Sequence, residues 1–404
     1  MVLSLKINKK AIMVSLLILP FILPDIFTRN ETIGSVVQIW KIMAGIWAIY
    51  RMIFSKKIAV FPIILTMFYG SVIISGLCHG IFIMSNFTGL ALLWIFFYLT
   101  YTPEIRMVFY KVYLDLMKLL IYGNFLSMIL FPNGLYASSV YQENWLLGYK
   151  NIFVIQIIPA LTILFLSYIE KKEKIDWKVY LLIVVSLLSM IASFSTTGLI
   201  CILVFIIGVI LITMNKFPKW LGITNSFVVY MILNIFLIDG TLLEKLGNII
   251  TGVLQKSLTL TGRTAIWKSA IKQISKHWLF GGGRINSDAF ALGFRITHAH
   301  NLLLNFLLLG GIICIALLII AFVYIDRKRK KCQDNRIDIV VFMMMIIFIM
   351  GFSESLLLGS SIIFPVLILG DNILSNGKKS YLVSIEKSYR REYKKNESRV
   401  MYTL

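Results

Sequence analysis

The chain has 404 residues, a mean hydropathy of +0.84, 58% hydrophobic residues and only 15% charged residues. A soluble protein of this length needs many more polar residues to cover its surface, so the composition excludes that class. The formal net charge of +21 does not indicate nucleic-acid binding, because the positive residues cluster between the apolar runs and in the C-terminal segment, as membrane insertion requires.

Repeated apolar runs of about twenty residues predict an all-α polytopic membrane protein. The runs are apolar on every side, whereas barrel strands alternate apolar and polar residues. The first run follows Lys6, Lys9 and Lys10 and lacks a small-residue cleavage site, so we expect it to be retained as a span. We predict about twelve transmembrane helices, at residues 11–27, 33–54, 58–77, 81–99, 108–131, 151–169, 178–195, 197–214, 226–238, 299–325, 338–353 and 355–373.

The distribution of Lys and Arg predicts the orientation. Alternate connectors are rich in basic residues, whereas the other connectors hold only Arg29 and Lys150 before one long loop is reached. Positive residues remain on the cytoplasmic side, so both termini are expected there and the long loop outside. The chain then divides into spans within 1–238, an extracytoplasmic loop at 239–298, further spans within 299–373 and a basic cytoplasmic tail at 374–404.

The long loop is unusually basic for an external segment. It carries eight basic and three acidic residues. One interpretation is that long loops cross the membrane regardless of charge. The interpretation that we favour is that this face holds an anionic ligand near the bilayer, where a low dielectric strengthens each contact.

Residues 264–279 within this loop predict an amphipathic helix lying at the membrane interface. Lys268, Lys272 and Lys276 fall on one narrow stripe, and the other side is apolar, with Ile266, Trp267, Ala270, Ile271, Ile274 and Trp278. Glycines 281–283 supply a stop. Extending the helix by one residue directs Arg263 towards the bundle, which singles out this arginine.

The span after the loop predicts the chemical centre. His300 is expected in its first turn, where the helix dipole and partial burial favour a neutral imidazole that accepts a proton. His298, Asn301 and Asn305 share its arc of the helix. The structural alternative is that the histidines only cap the helix, and either histidine is a candidate base. The two-residue spacing does not match a metal motif, and the sequence has no nucleotide-binding glycine pattern, so we expect no cofactor.

Three further segments have open interpretations. Glu354 either lies in the headgroup zone, or pairs with Arg263, Arg284 or Arg295, or positions the base. The external turn at residues 195–197 is a candidate lining of the same cavity. The loop at 132–150 contains four aromatic residues, for which an interfacial belt is the default and stacking on sugars the alternative; they are Tyr136, Tyr141, Trp145 and Tyr149.

Two runs, TGRTAIWKSAIKQISKHWLFGGGR and HAHNLLLNFLLLGG, together resemble the O-antigen polymerase/ligase family (Wzy and WaaL types). That family combines a Gly-Arg followed by an aromatic residue, a Gly-x-Gly turn, and a His-Asn that opens a span with a later glycine. The external WLLGYKN, which ends at Asn151, is similar to a further element of the family. The corresponding residues here are Gly262-Arg263 with Trp267, Gly281 to Gly283, and His300-Asn301 with Gly310.

The resemblance implies a metal-independent glycosyltransferase of the bacterial cytoplasmic membrane that uses undecaprenyl-diphosphate-linked oligosaccharides. It implies that Arg263 contacts the donor diphosphate and His300 activates the acceptor hydroxyl. The family's Ser-Arg turn is replaced by residues 195–198 without arginine. We expect a polymerase of repeat units, with a ligase or a lipid-linked oligosaccharide flippase as alternatives. A chain-length regulator and a flippase are candidate partners, and the further substrate-binding candidates are Arg284, Arg295, His298, Asn301, Lys150 and Asn151.

Overall fold

The computed structural model describes residues 8–138, 141–171, 173–241, 263–283, 298–332, 334, 336–355 and 362–376. Within these residues the regular structure is helical, apart from two isolated β-bridges in the loop at 132–150. Seven helices are long and apolar enough to cross a membrane, and shorter apolar helices accompany them. The chain is therefore an all-α, multi-pass membrane protein, as its composition predicts.

The described helices alternate with short connectors through most of the chain. In chain order they are α1 Lys9–Ile22, α2 Asp25–Thr28, α3 Glu31–Phe54, α4 Val60–Cys78, α5 Met84–Tyr101, α6 Pro103–Leu130, α7 Lys150–Lys171, α8 Trp177–Ala192, α9 Thr196–Thr213, α10 Ile223–Ile238, α11 Arg263–Lys276, α12 Leu302–Cys332, α13 Arg336–Gly351 and α14 Ile363–Asn376.

Each predicted span overlaps one of these helices, and the differences have local causes. The first predicted span is divided at Leu23, because the residue before a proline disfavours helical torsion angles and Pro24 follows. The predicted span at 299–325 begins at Leu302 and extends to Cys332. The last helix begins at Ile363, later than predicted, and residues 356–361 and 377–404 lie outside the described part.

The centre of the bundle is formed by α7, α13 and α14, whose side chains are buried along nearly their full length. Aromatic rings from three helices meet there: Phe68 of α4 lies 5.7 Å from Phe306 of α12 and 5.1 Å from Phe364 of α14, between ring centroids. Helix α3 lies at the periphery, packed on α5 and with many exposed apolar side chains, as expected of a lipid-facing helix.

Helix α12 is broken at Gly311, where φ is +63°. The segment that follows α11 fills the break. Ile312 donates its N–H to the Trp278 carbonyl (2.9 Å), and Gly282 donates to the Leu308 carbonyl (2.8 Å). Buried backbone groups in a membrane must find partners, and here another segment supplies them. The break thereby joins the end of α11 rigidly to the middle of α12.

Close backbone packing secures the same junction from the other side. Gly283 lies against Gly76 of α4, so closely that a Cβ on Gly283 would lie 2.5 Å from the Gly76 Cα. His277 and His79 extend the contact, with 3.4 Å between His79 Nε2 and His277 Nδ1. The predicted glycine stop of α11 is therefore also the point at which this helix attaches to the bundle.

Candidate active site

The candidate site lies at the end of the bundle where α11 packs across the beginning of α12. Four elements contribute to it: the start of α7, the start of α11, the segment before α12 and the segment after α13. Each contribution is a polar side chain at or next to a helix end.

Arg263 and Glu354 form an ion pair at the centre of the site. Arg263 Nη2 lies 3.3 Å from Glu354 Oε1, and the two side chains are only 20% and 12% exposed. Asn151 donates to the same carboxylate oxygen from 2.8 Å. Of the two interpretations of Glu354, the structure therefore supports pairing with Arg263 over an unpaired position among the headgroups.

Burial and the neighbouring polar groups have opposite effects on the pKa of the Glu354 carboxyl. Burial raises the pKa of the Glu354 carboxyl, whereas the charge of Arg263 and the hydrogen bonds from Arg263 and Asn151 lower it. Burial is the larger effect, so the pKa is raised overall, and the two donors are what the buried carboxylate needs in order to carry a charge. The carboxylate in turn holds the arginine at the mouth of the bundle.

The apolar face of α11 fixes the position of Arg263. Trp267 is fully buried and donates its indole N–H to the Ala299 carbonyl (3.1 Å). Ile266 and Ala270 pack with it against the beginning of α12 and the end of α10. Three lysines, Lys268, Lys272 and Lys276, are exposed on the opposite face, as the helical wheel predicts. Ile271 and Trp278, also on the apolar side of the wheel, make no buried contact with the bundle and are exposed, as side chains facing the membrane interface would be.

His298 and His300 lie next to Arg263, with ring centroids 4.2 Å apart. Burial, the neighbouring His298 and the charge of Arg263 lower the pKa of His300 to about 3. Burial and then Arg263 lower the pKa of His298 as well. Both imidazoles are thus neutral at neutral pH. Among the described residues, the buried Nδ1 of His300 has no hydrogen-bond partner.

The expected position of His300 in the first turn of a helix was wrong. Its φ is +49°, in the left-handed region that non-glycine residues seldom adopt, and α12 starts two residues later. The cause is Asn301, whose side-chain oxygen accepts the N–H of Leu304 (3.1 Å) and so acts as the helix cap. Strained torsion angles of this kind cluster at functional sites.

Asn301 is fully buried and is held by residues that the sequence did not single out. Its Nδ2 donates to Asn234 of α10 (2.5 Å), and its backbone N–H donates to the Ser355 hydroxyl (3.2 Å). Asn234 could have been found in the sequence, because it is a polar residue inside an apolar span and such residues usually face the interior of the bundle. These contacts join the segment of His300 to the segment of Glu354.

The loop at 132–150 closes one side of the site. Tyr141 and Tyr149 stack face to face, with 3.7 Å between centroids. Burial raises the pKa of Tyr149, and the negative charge of Glu354 raises it further. Trp145 does not belong to an interfacial belt, because it is 3% exposed and donates to the Phe131 carbonyl.

Of the other predicted site residues, two lie near the site and two lie outside the part of the chain that the structure describes. Lys150 begins α7 beside Asn151 and is half-buried. Thr197, in the first turn of α9, lies 3.4 Å from Ser353 between their hydroxyl oxygens, adjacent to Glu354. Arg284 and Arg295 lie outside the described residues.

The fold and this site define a multi-pass membrane protein with a buried arginine–carboxylate pair and two neutral histidines at one end of its helical bundle. Residues 181–319 match the family model Wzy_C, described as O-antigen ligase. The match confirms the indicated resemblance for residues 181–319, which are similar to a domain of the ligase and polymerase type enzymes of polysaccharide assembly. Comparison with curated proteins and with solved structures gives no significant match.

Proposed function

We propose that this protein is a polysaccharide polymerase that joins undecaprenyl-diphosphate-linked oligosaccharide repeat units on the outer face of the bacterial cytoplasmic membrane. The observation that carries the proposal is the neutral imidazole of His300 beside Arg263 at the mouth of the bundle. Transfer of a glycan from a lipid diphosphate needs a cation for the leaving group and a base for the acceptor hydroxyl.

The proposed orientation puts the site outside the cell. We assign twelve spans, α1 with α2 as the first and α14 as the last, so that α11 is an external interfacial helix and both termini are cytoplasmic. The basic end of α12 is then inside, as the distribution of Lys and Arg favours. The lipid carrier reaches the site laterally, while its sugars extend into water.

Arg263 is proposed to bind the diphosphate, with Lys150, Arg284 and Arg295 as further candidate cations. A guanidinium offers paired N–H donors that match phosphate oxygens, and its charge stabilises the leaving diphosphate. Asn151 and Glu354 are positioning residues in this scheme, because they hold Arg263 in place before the substrate arrives.

Substrate binding then activates the base. In the free protein, burial lowers the pKa of His300 most, followed by His298 and then by the positive charge of Arg263. A bound diphosphate neutralises that charge and adds negative charge nearby, which raises the pKa of the imidazole towards its ordinary value. His300 therefore becomes a stronger base when the donor is in place, and His298 is the alternative base.

The chemical step is one displacement. The acceptor hydroxyl oxygen forms a bond to the anomeric carbon of the donor glycan, and the bond from that carbon to the diphosphate oxygen breaks. The hydroxyl proton moves to the imidazole, and the electron pair of the broken bond leaves with the lipid diphosphate. A single displacement inverts the anomeric centre.

A ligase that passes a finished glycan to another acceptor is the second candidate, because the matched family model is described as O-antigen ligase. The two activities leave different intermediates in cells. Without a polymerase, single repeat units accumulate on the lipid carrier, whereas without a ligase, long chains accumulate there. A flippase, the third alternative, leaves single units that external glycosidases cannot reach.

The test is the length of lipid-linked glycan in cells carrying Arg263→Ala or His300→Ala, each confirmed at normal level in the membrane. Lys272→Ala is the matched control, because this lysine lies on the exposed stripe of the same loop. We expect externally accessible single units in the two site variants and long chains in the control. Unchanged polymer from both site variants would contradict the proposal.

A further inference from the structure

A cavity of about 570 Å³ lies between α4 and α12, near the end of α12 that is far from the candidate active site. Its upper part is lined by apolar side chains of both helices, Ile64, Ile319, Ile320, Val323 and Tyr324. Ile320 is 52% exposed, so the cavity opens towards the surroundings of the bundle. We name this feature the basic groove, because its end nearest the C-terminus of α12 is lined by Arg327, Lys328 and Lys331.

Three positive side chains close the lower part of the groove: Arg327, Lys328 and Lys331. Lys328 is already engaged, because its ammonium group pairs with Asp371 and donates to the Ser375 hydroxyl (2.6 Å). Arg327 and Lys331 are exposed and have no hydrogen-bond or ion-pair partner within the described part of the chain.

The nearby carboxylates do not neutralise the two spare cations. Asp326 accepts the backbone N–H groups of Ile223 and Thr224 at 3.0 and 2.8 Å, and so caps α10. Asp371 is paired with Lys328. The end of the groove therefore keeps a net positive charge that an external anion is free to neutralise.

The dimensions of the groove fit a lipid. The apolar lining from Ile319 to Tyr324 rises about 8 Å along α12 at 1.5 Å per residue, and Arg327 and Lys331 follow within the next two turns. A short apolar channel with cations at its end matches the first part of an acyl chain beneath a phosphate group. The basic tail of this chain is a poor occupant, since like charges at the mouth repel it.

We propose that the basic groove binds one anionic phospholipid, with its phosphate at Arg327 and Lys331 and an acyl chain along Ile320 and Val323. The inference goes beyond the proposed activity and does not depend on it. The leaflet on the basic side of a membrane protein is rich in anionic lipids, and basic pockets between transmembrane helices on that side bind their headgroups.

The test measures lipid retained by the purified, full-length protein, by native mass spectrometry after exchange into vesicles of phosphatidylglycerol or of phosphatidylcholine with the same acyl chains. The variants are Arg327→Gln/Lys331→Gln, which removes both spare charges, and Ile320→Trp, which fills the channel but keeps them. Lys174→Gln/Lys178→Gln removes one charge from the connector before α8 and one from the first turn of α8, and is the matched control.

We expect the native chain and the control to retain phosphatidylglycerol in preference to phosphatidylcholine. Affinity for phosphatidylglycerol should fall about 30-fold in Arg327→Gln/Lys331→Gln, from the contribution of basic residues beside anionic lipid. Ile320→Trp should also lose the lipid. Equal retention by all variants would overturn the proposal.

A second arm separates a lipid from a free anion. Inorganic phosphate added to the native protein should not displace phosphatidylglycerol, because the acyl chain contributes to binding. Displacement by phosphate alone, or retention of phosphatidylglycerol by Ile320→Trp at the native level, would identify the groove as a simple anion site and overturn the lipid assignment.

Discussion

At the scale of single residues, the proposed function rests on Arg263, the one basic residue of α11 that points into the bundle. Its guanidinium is held by a carboxylate that is itself held by Asn151. Glu354 lies 91 residues from Arg263 in sequence and Asn151 lies 203 residues from Glu354. The helical wheel predicted that Arg263 faces inward, but distances of this length in sequence left its partner undecided.

Arg263→Lys tests whether the geometry of the guanidinium matters beyond its charge. Lysine keeps the positive charge but offers no paired N–H donors, so we expect the rate of repeat-unit incorporation in isolated membranes to fall about tenfold. Arg263→Ala should lower it by about 10²–10³, the usual effect of removing one donor to a developing negative charge. A lysine variant with the native rate would show that only the charge is needed.

The lowered pKa of His300 predicts how stability depends on pH. An unfolded histidine has a pKa of about 6.5, and folding lowers the pKa of His300 to about 3. Between these values the unfolded state binds more protons, so stability is complete above pH 6.5 and falls as the pH decreases. For His300 alone the loss at pH 5 is about 2 kcal/mol.

Thermal unfolding in detergent between pH 8 and pH 5 measures this loss, with His300→Asn for comparison. The variant lacks the titrating group, so its melting temperature should decrease less than that of the native chain over the same range. If the melting temperatures of the two proteins fell equally with pH, groups other than His300 would cause the acid sensitivity.

At the scale of elements, the sequence predicted the helices well because apolar runs near twenty residues have few alternatives in a membrane. It also predicted the register of α11, since three lysines at a spacing of four define its exposed face. It did not predict the break in α12. Gly310 and Gly311 are compatible with ordinary close helix packing, and only the inserted Trp278–Gly282 segment shows why the second glycine is needed.

The contact between Gly281 and the break in α12 can be tested by comparing alanine substitutions at Gly281 and at Gly80, a glycine with a similar φ in an open position. Gly281 has a φ of +73°, and a Cβ there would lie 2.6 Å from the Gly310 nitrogen. Gly80 has a similar φ of +68° but no atom within 4 Å of a new Cβ. Gly80→Ala should cost about 1–2 kcal/mol from backbone strain alone, whereas Gly281→Ala should add about 1–3 kcal/mol of steric overlap.

Melting temperatures of the two alanine variants in the same detergent compare these costs. We expect Gly281→Ala to melt clearly below Gly80→Ala, and to lose polymer formation because α11 carries Arg263. Equal melting temperatures would mean that the segment after α11 moves to accommodate the new Cβ without loss of stability. The inference that α11 and α12 are rigidly joined would then be wrong.

At the scale of the whole molecule, the site is assembled from parts that are far apart in sequence. The family match covers Arg263, His298 and His300, whereas Asn151 and Glu354 lie outside residues 181–319. The bundle brings these two sets together by packing α7 and α13 beside each other and α11 across α12. The chemistry proposed for Arg263 and His300 therefore depends on helices that the match does not include.

The orientation of the molecule decides whether this site meets substrates outside the cell, and cysteine labelling measures it directly. The chain has four cysteines, which are replaced by serine to give a silent background. Lys272→Cys on the exposed face of α11 should react with a membrane-impermeant maleimide in intact cells. Lys174→Cys, in the connector between α7 and α8, should react only after the membrane is opened, because basic connectors remain inside. The reverse pattern would put the arginine and the histidines in the cytoplasm, where lipid-linked units await export, and a polymerase acting on exported units would then be impossible.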